Sequence, residues 1–267
     1  MRWAVAATLA VVALAGCDQD GLNYERALDD GPSFSAYLVS YKSSGLRLHA
    51  LVAVPNASTP ADGFPVIVAN HGYVPDPTRY GITAEGIDSR PGDYYRSVPE
   101  LYASRGFLVV MPDYRGHNNS EGLEFTTMKQ SVDYYAEDVI ALLKLLGQVE
   151  SVNPERVFMW SHSMGGAVTM RALLVTDLVR GASFWATTPL QDLVPSLENL
   201  DVPIIVHHSE DDASTASANS RALVRALEDA GHAHSLHLYE GSAHFLEKEF
   251  RELAADRDVA FFNALSE

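Results

Sequence analysis

The stretch Val157-Phe158-Met159-Trp160-Ser161-His162-Ser163-Met164-Gly165-Gly166 decides the fold. Its first four residues are apolar without alternation, as in a strand buried on both faces of a parallel sheet. Small residues then stand two places before and two places after Ser163, and apolar positions recur at helical spacing from Gly165 to Val175. A strand that turns sharply into a helix around a serine is a nucleophile elbow, in which bulky flanking side chains would clash. Ser163 is therefore the expected nucleophile, set on an α/β scaffold.

A serine hydroxyl is a weak nucleophile until a base takes its proton. Four histidines late in the chain are candidates: His232, His234, His237 and His244. The first two precede the last apolar run, Leu236–Tyr239, and His237 lies inside it. Only His244 follows that run, at the strand end that faces the same edge as Ser163. The imidazole in turn needs a carboxylate to fix its tautomer. Asp212, after the run Pro203–His207, is the favoured acid, with Asp211 beside it and Asp192 as alternatives. The oxyanion of an acyl-transfer intermediate needs two amide donors. Met164 supplies one at the helix start; Tyr73, in Asn70-His71-Gly72-Tyr73 after the run Pro65–Ala69, supplies the other.

The remaining runs extend the same alternation. Phe34–Tyr41 and Leu46–Val54 predict two antiparallel strands around a Ser-Ser-Gly turn. Phe107–Met111 and Ala182–Trp185 predict buried strands, while Val132–Leu146, Ala216–Leu227 and the segment from Phe245 onward predict helices. Strands alternating with helices predict a mostly parallel, doubly wound sheet flanked by helices, in a single domain over 34–267. Two long connections, 73–100 and 187–201, are expected at the carboxyl ends of strands, where open α/β sheets bind ligands. Tyr80, Tyr94 and Tyr95 either line a cleft there or pack the loop down. Tyr134 and Tyr135 are expected to pack the helix that carries them.

Composition narrows the function. Of 267 residues, 35 are acidic and 19 basic, a formal charge of −16 that repels nucleic-acid phosphate. A single cysteine excludes an internal disulfide and argues against a cysteine-based metal site. The ten histidines include the pair His207-His208 and the spaced set His232, His234 and His237, which raises a metal hydrolase as a rival. No His-Glu-x-x-His pattern accompanies them, so no metal is expected. No glycine fingerprint for a dinucleotide follows the first parallel strand, and no cofactor is expected.

The first 17 residues hold one arginine, an apolar run from Trp3 to Ala15, and then small residues before Cys17. The run is too short to span a bilayer but suits an export signal. Leu14-Ala15-Gly16-Cys17 resembles the lipobox of bacterial lipoproteins. That resemblance implies a signal peptide over 1–16, a lipidated Cys17, and attachment at the periplasmic side of the bacterial cell envelope. Residues 17–33, acidic and turn-rich, are expected to form a solvated tether.

Met111-Pro112-Asp113-Tyr114-Arg115-Gly116-His117 follows Phe107–Met111, and Asn153-Pro154-Glu155-Arg156 precedes the serine strand. With the elbow, these residues resemble the α/β-hydrolase superfamily, and within it the prolyl oligopeptidase and dienelactone-hydrolase-like branch. The resemblance runs from about residue 46 to the end. Ser161 replaces the usual first glycine of the elbow, Ser209 the glycine usual before the acid, and no β-propeller domain is found. The expected activity is a cofactor-free serine hydrolase acting on carboxylic esters through an acyl-enzyme. The alternatives are a serine peptidase of the prolyl oligopeptidase type acting on small peptides, and a catalytically silent binding protein on the same fold. For a peptidase, Glu85, Asp88 and Asp93 are candidate anchors for a substrate amine.

Overall fold

A computed structural model describes residues 21–74, 95–122 and 128–266. Within these residues the chain forms two compact units, one from the segment before Asn70 together with Val74–Val157, the other from Asn70–Tyr73 and Phe158 onward.

The first unit begins with a strand that the polar composition hides. Asn23–Ala27 (β1) pairs antiparallel with Phe34–Ser43 (β2), so this part of the expected tether over 17–33 is folded instead. Leu22 and Leu28 bracket it and are buried. Its side chains can stay polar because an edge strand is held by backbone pairing on one side only. Glu25 accepts hydrogen bonds from Ser40 and Arg47, which fixes the edge further. β2 and Leu46–Pro55 (β3) pair in register from Phe34↔Pro55 to Ser43↔Leu46. Ser44 and Gly45, with φ of 50° and 81°, turn between them as a two-residue hairpin loop requires.

Phe64–Asn70 (β4) and Leu108–Asp113 (β5) are buried at every position and run parallel. Their neighbour β3 is antiparallel to β5, giving the order β1-β2-β3-β5-β4. Two helices, Val98–Ala103 (α1) and Met128–Leu146 (α2), belong to this unit. The Asp-Tyr-Arg-Gly stretch after β5 anchors α2: Arg115 donates through Nε to Asp138 Oδ2 at 3.0 Å and through Nη2 to Oδ1 at 2.6 Å. Tyr114 stacks on Tyr135 at 4.5 Å. Tyr135 thus packs its helix as expected, whereas Tyr134 is half exposed under the Arg115 guanidinium.

The second unit carries four parallel strands in the order β6-β7-β8-β9: Val152–His162 (β6, from Phe158 on), Gly181–Trp185 (β7), Ile204–Ser209 (β8) and His234–Tyr239 (β9). Helices Met164–Leu173 (α3), Ala218–Asp229 (α4) and Lys248–Ala264 (α5) alternate with them, and a 3-10 turn over Val194–Asn199 lies in the 187–201 connection. Its core is aromatic. Phe158, Trp160, Phe184, Trp185 and Phe262 are fully buried, and Phe158 stacks on Phe262 at 4.5 Å. Because β6, β8 and β9 all run the same way, the residues just beyond their carboxyl ends gather at one edge. Among the described residues no helix is long and apolar enough to cross a membrane.

Candidate active site

β6 ends at His162, and α3 starts at Met164. Between them Ser163 adopts φ 55° and ψ −122°, a region that side chains other than glycine rarely occupy. The turn persists because its surroundings fix it. Ser163 N–H donates to the Trp185 carbonyl at 3.0 Å, and α3 packs its backbone directly on Asn70. A Cβ at Gly165 would lie 2.0 Å from the Asn70 carbonyl oxygen, and one at Gly166 would lie 2.4 Å from Thr187 Oγ1. Asn70 Nδ2 adds a bond of 2.7 Å to Thr169 Oγ1 on α3. Both glycines are therefore demanded by space. Ser161, the departure from the usual glycine, is fully buried and donates its hydroxyl to the Ser183 carbonyl at 3.1 Å.

His244 sits on the loop after β9, and its Nδ1 lies 2.8 Å from Asp212 Oδ2. Of the three candidate acids, Asp212 alone meets the histidine. Asp211 is exposed, and Asp192 pairs with Arg171 at 3.0 Å. An ionised carboxylate only accepts, so Nδ1 carries a hydrogen; in the neutral ring this leaves the lone pair on Nε2, the tautomer a general base needs. Asp212 Oδ1 accepts from the amides of Ser214 at 2.7 Å and Thr215 at 3.0 Å, while the Thr215 hydroxyl is 3.0 Å from Oδ2. Burial alone would raise the Asp212 pKa. Hydrogen bonds from His208, His244 and the two amides outweigh it and hold the carboxyl well below the usual range. Ser209, the second departure from glycine, donates to the Ala243 carbonyl at 2.6 Å and ties the acid's strand to the histidine's loop.

Two histidines that composition gave no reason to place here also touch the site. His162 packs its ring against His244, with centroids 4.5 Å apart, and its Nε2 donates to the His244 carbonyl at 2.9 Å. Burial, reinforced by the neighbouring His244, pushes its pKa down to about 3, so it is neutral beside the His244–Asp212 pair. His208 Nε2 lies 3.2 Å from Asp212 Oδ2. Their position relative to Ser163 and Asp212 in the chain was the only available signal, and it does not reveal which face a side chain takes.

The other histidines of the metal reading are engaged elsewhere. His207 contacts Asp258 and Tyr239, His232 contacts the Leu197 carbonyl, His234 contacts the His232 carbonyl, and His237 stacks on His207. Among the described residues no group of three or more His, Cys, Asp or Glu is arranged to hold a metal ion. Of the candidate oxyanion donors, Met164 is buried as the first residue of α3, and Tyr73 follows β4 with its side chain half exposed. The contact of Gly165 with Asn70 brings the segments bearing these two residues together. Cys17, Tyr80, Tyr94, Glu85, Asp88 and Asp93 lie outside the described residues; Tyr95 is buried.

A serine at a strained strand-to-helix turn, with a histidine–carboxylate pair beyond the ends of parallel strands, is the arrangement of an α/β-hydrolase. The Dienelactone hydrolase family profile matches residues 86–262; the chain belongs to that family and is a hydrolase. A Bacillus subtilis (strain 168) protein named "Uncharacterized peptidase YtmA" is 29% identical over 162 residues, which cover 61% of this chain and 54% of that one. The chain thus spans about half the length of this relative. Among solved structures, acylaminoacyl peptidase from Pyrococcus horikoshii superposes with a TM-score of 0.69 at 19% identity, over 86% of this chain and 42% of its own. Acetyl xylan esterase from Paenibacillus sp. R4 does so with a TM-score of 0.66 at 17% identity, over 97% of this chain and 92% of its own. At such identities the two structures establish the shared fold.

Proposed function

We propose that the protein hydrolyses carboxylic esters through an acyl-enzyme on Ser163. The observation that carries this reading is the 2.8 Å contact of His244 Nδ1 with Asp212, in a unit that holds Ser163 at a strained elbow. Ser163 Oγ attacks the ester carbonyl while His244 Nε2 takes its proton. Asp212 holds the Nδ1 hydrogen and stabilises the imidazolium. The amides of Met164 and Tyr73 receive the oxyanion, and the dipole of α3 favours the same charge. His244 then returns the proton to the leaving alcohol. A water, deprotonated by His244, releases the acid and restores the serine. The family supports the ester as substrate class, since a lactone is a cyclic ester. So does the end-to-end match of the fold to an esterase.

One observation favours a second reading, cleavage of small peptides: the relative at 29% identity is named a peptidase. Turnover of p-nitrophenyl esters and of aminoacyl or prolyl p-nitroanilides by the same protein, beside Ser163→Ala, decides between them. Ester turnover that falls by up to about 10⁶-fold in Ser163→Ala, with no anilide cleavage, is the expected result. Efficient anilide cleavage overturns it in favour of the peptidase. Silence of wild type and variant alike on both panels favours the binding protein.

We also propose that Cys17 carries lipid and holds the enzyme at the periplasmic side of the envelope. Mass spectrometry of the mature amino terminus, and release of Cys17→Ser from the membrane fraction, test this.

A further inference from the structure

We propose that His208 is a positioning residue for this reaction: it holds the Asp212 carboxylate with a ring N–H whose location Ser220 fixes. The inference rests on the roles proposed above for Ser163, His244 and Asp212. His208 and Ser220 are both fully buried, His208 near the end of β8 and Ser220 on α4. His208 Nε2 faces two acceptors, Asp212 Oδ2 at 3.2 Å and the Thr215 carbonyl at 3.0 Å. Its Nδ1 lies 2.7 Å from Ser220 Oγ. One neutral tautomer fits all three contacts: the Nε2 hydrogen is shared between the Thr215 carbonyl and Asp212 Oδ2 beside it, and the Nδ1 lone pair accepts from the serine hydroxyl.

Two imidazoles therefore converge on one carboxylate oxygen, His244 at 2.8 Å and His208 at 3.2 Å. A leucine would fill the same volume without the cost of burying ring nitrogens. What the histidine adds is confined to the acid and its loop. An N–H donated to a carboxylate withdraws charge from it, so His208 weakens the pull of Asp212 on the His244 imidazolium. It also restrains the carboxylate so that Oδ2 stays on His244 Nδ1. Among the described residues, the groups facing this cluster include His244 from the loop after β9, His162 from the end of β6, the Ser220 hydroxyl from α4 and the Thr215 hydroxyl, 3.0 Å from Asp212 Oδ2 and 3.2 Å from His244 Nδ1. His207, next to it on β8, takes other partners, and Glu210 and Asp211 are exposed.

The test is the rate at which a fluorophosphonate labels Ser163 in the full chain from about pH 5 to about pH 9, the range in which an imidazole base titrates. Labelling reads the serine and its base without requiring the natural substrate. His208→Phe is expected to slow it on the order of ten-fold, by analogy with loss of a partner that orients a reactive side chain. The acid limb should also move to higher pH, because a carboxylate with one donor fewer stabilises the His244 imidazolium more. His208→Gln, which can return a side-chain N–H near Nε2, should restore rate and limb together. Ser220→Ala should move the limb the same way by less, and it carries the test if His208→Phe does not fold. An unmoved limb in the folded variants, or a slower rate that Gln does not rescue, overturns the proposal and leaves His208 a packing residue. Failure of wild type to be labelled at Ser163 breaks the catalytic reading itself and this inference with it. A labelled wild type with an unmoved limb breaks the inference alone.

Discussion

His207 and His208 are consecutive in β8, so their side chains leave opposite faces of the strand. Each meets a buried carboxylate: Asp258 of α5 at 3.0 Å for His207, Asp212 at 3.2 Å for His208. The chemistry is the same and the settings differ. On the His207 side, Asp258 also accepts from Trp185 Nε1 at 3.0 Å, and His207 Nδ1 lies 2.8 Å from the Tyr239 hydroxyl. All four residues are buried, and together they tie α5 to β7, β8 and β9. On the His208 side the acid reaches His244, whose side chain is 17% exposed, on the edge where the strained Ser163 stands. A histidine–carboxylate pair is thus common to a clamp and to a candidate catalytic centre. Access to solvent and to a nucleophile separates the two.

The widest separation between the faces comes from their acids. Asp212→Asn should lower kcat by about 10⁴-fold, as expected when the base loses its orienting carboxylate, with a smaller fall in melting temperature from the lost charge-assisted bonds. Ester kinetics and thermal melts on one preparation check it; a small kinetic effect would place the reactive pair elsewhere. Asp258→Ala should do the reverse. Removing this acceptor strands the His207 ring and weakens the hold on Trp185, costing about 3 kcal/mol in urea unfolding, with kcat of the folded protein preserved. A comparable loss of kcat there would erase the distinction between clamp and centre.

Acid should be felt through His162, on the face of the candidate site. Its pKa is depressed from 6.5 to about 3 in the folded protein. Below about pH 6.5 the unfolded chain binds a proton that the folded chain refuses, so stability is lost as pH falls from there toward about 3. Between about pH 6.5 and about pH 4.5 this amounts to about 2 kcal/mol. His162→Phe should flatten that part of the stability profile, and an unchanged slope would show that other groups drive the acid loss. The smallest effect belongs to the clamp. Tyr239→Phe removes one hydroxyl from His207 and from Arg257, and should cost about 1 kcal/mol without altering kcat.

The sequence was most legible where one physical demand fell on consecutive residues. Val157–Trp160 and Pro65–Ala69 could be read as strands because burial on both faces requires apolar residues at every position. That Ser163, Asp212 and His244 follow the ends of three strands was readable because parallel strands deliver their trailing residues to one edge. β1 was hidden, since an edge strand needs only backbone pairing and tolerates the acidic, polar residues that suggested a tether. α1 was lost in the 73–100 connection, because six residues beginning Val98-Pro99 are too few to display a helical period. His162 and His208 were missed for a different reason. Their partners are 82 residues away in the first case and, in the second, within a local turn, so nothing in the spacing distinguishes them from histidines such as His207. The choice of Asp212 over Asp211 likewise depends on which way a turn directs two adjacent carboxylates.

β1 also alters how far the enzyme could travel from a bilayer. If lipid is attached at Cys17, a free chain running to Phe34 would give a leash of about 58 Å, at about 3.4 Å per extended residue. With Leu22 buried and Asn23 paired to Ser40, the chain from Cys17 to Leu22 could span at most about 17 Å. So short a reach would keep the body close to the headgroups. Substrates would then be met within a thin layer next to the membrane, and a long polymer buried deeper in the periplasm would be sampled only where it comes to the surface.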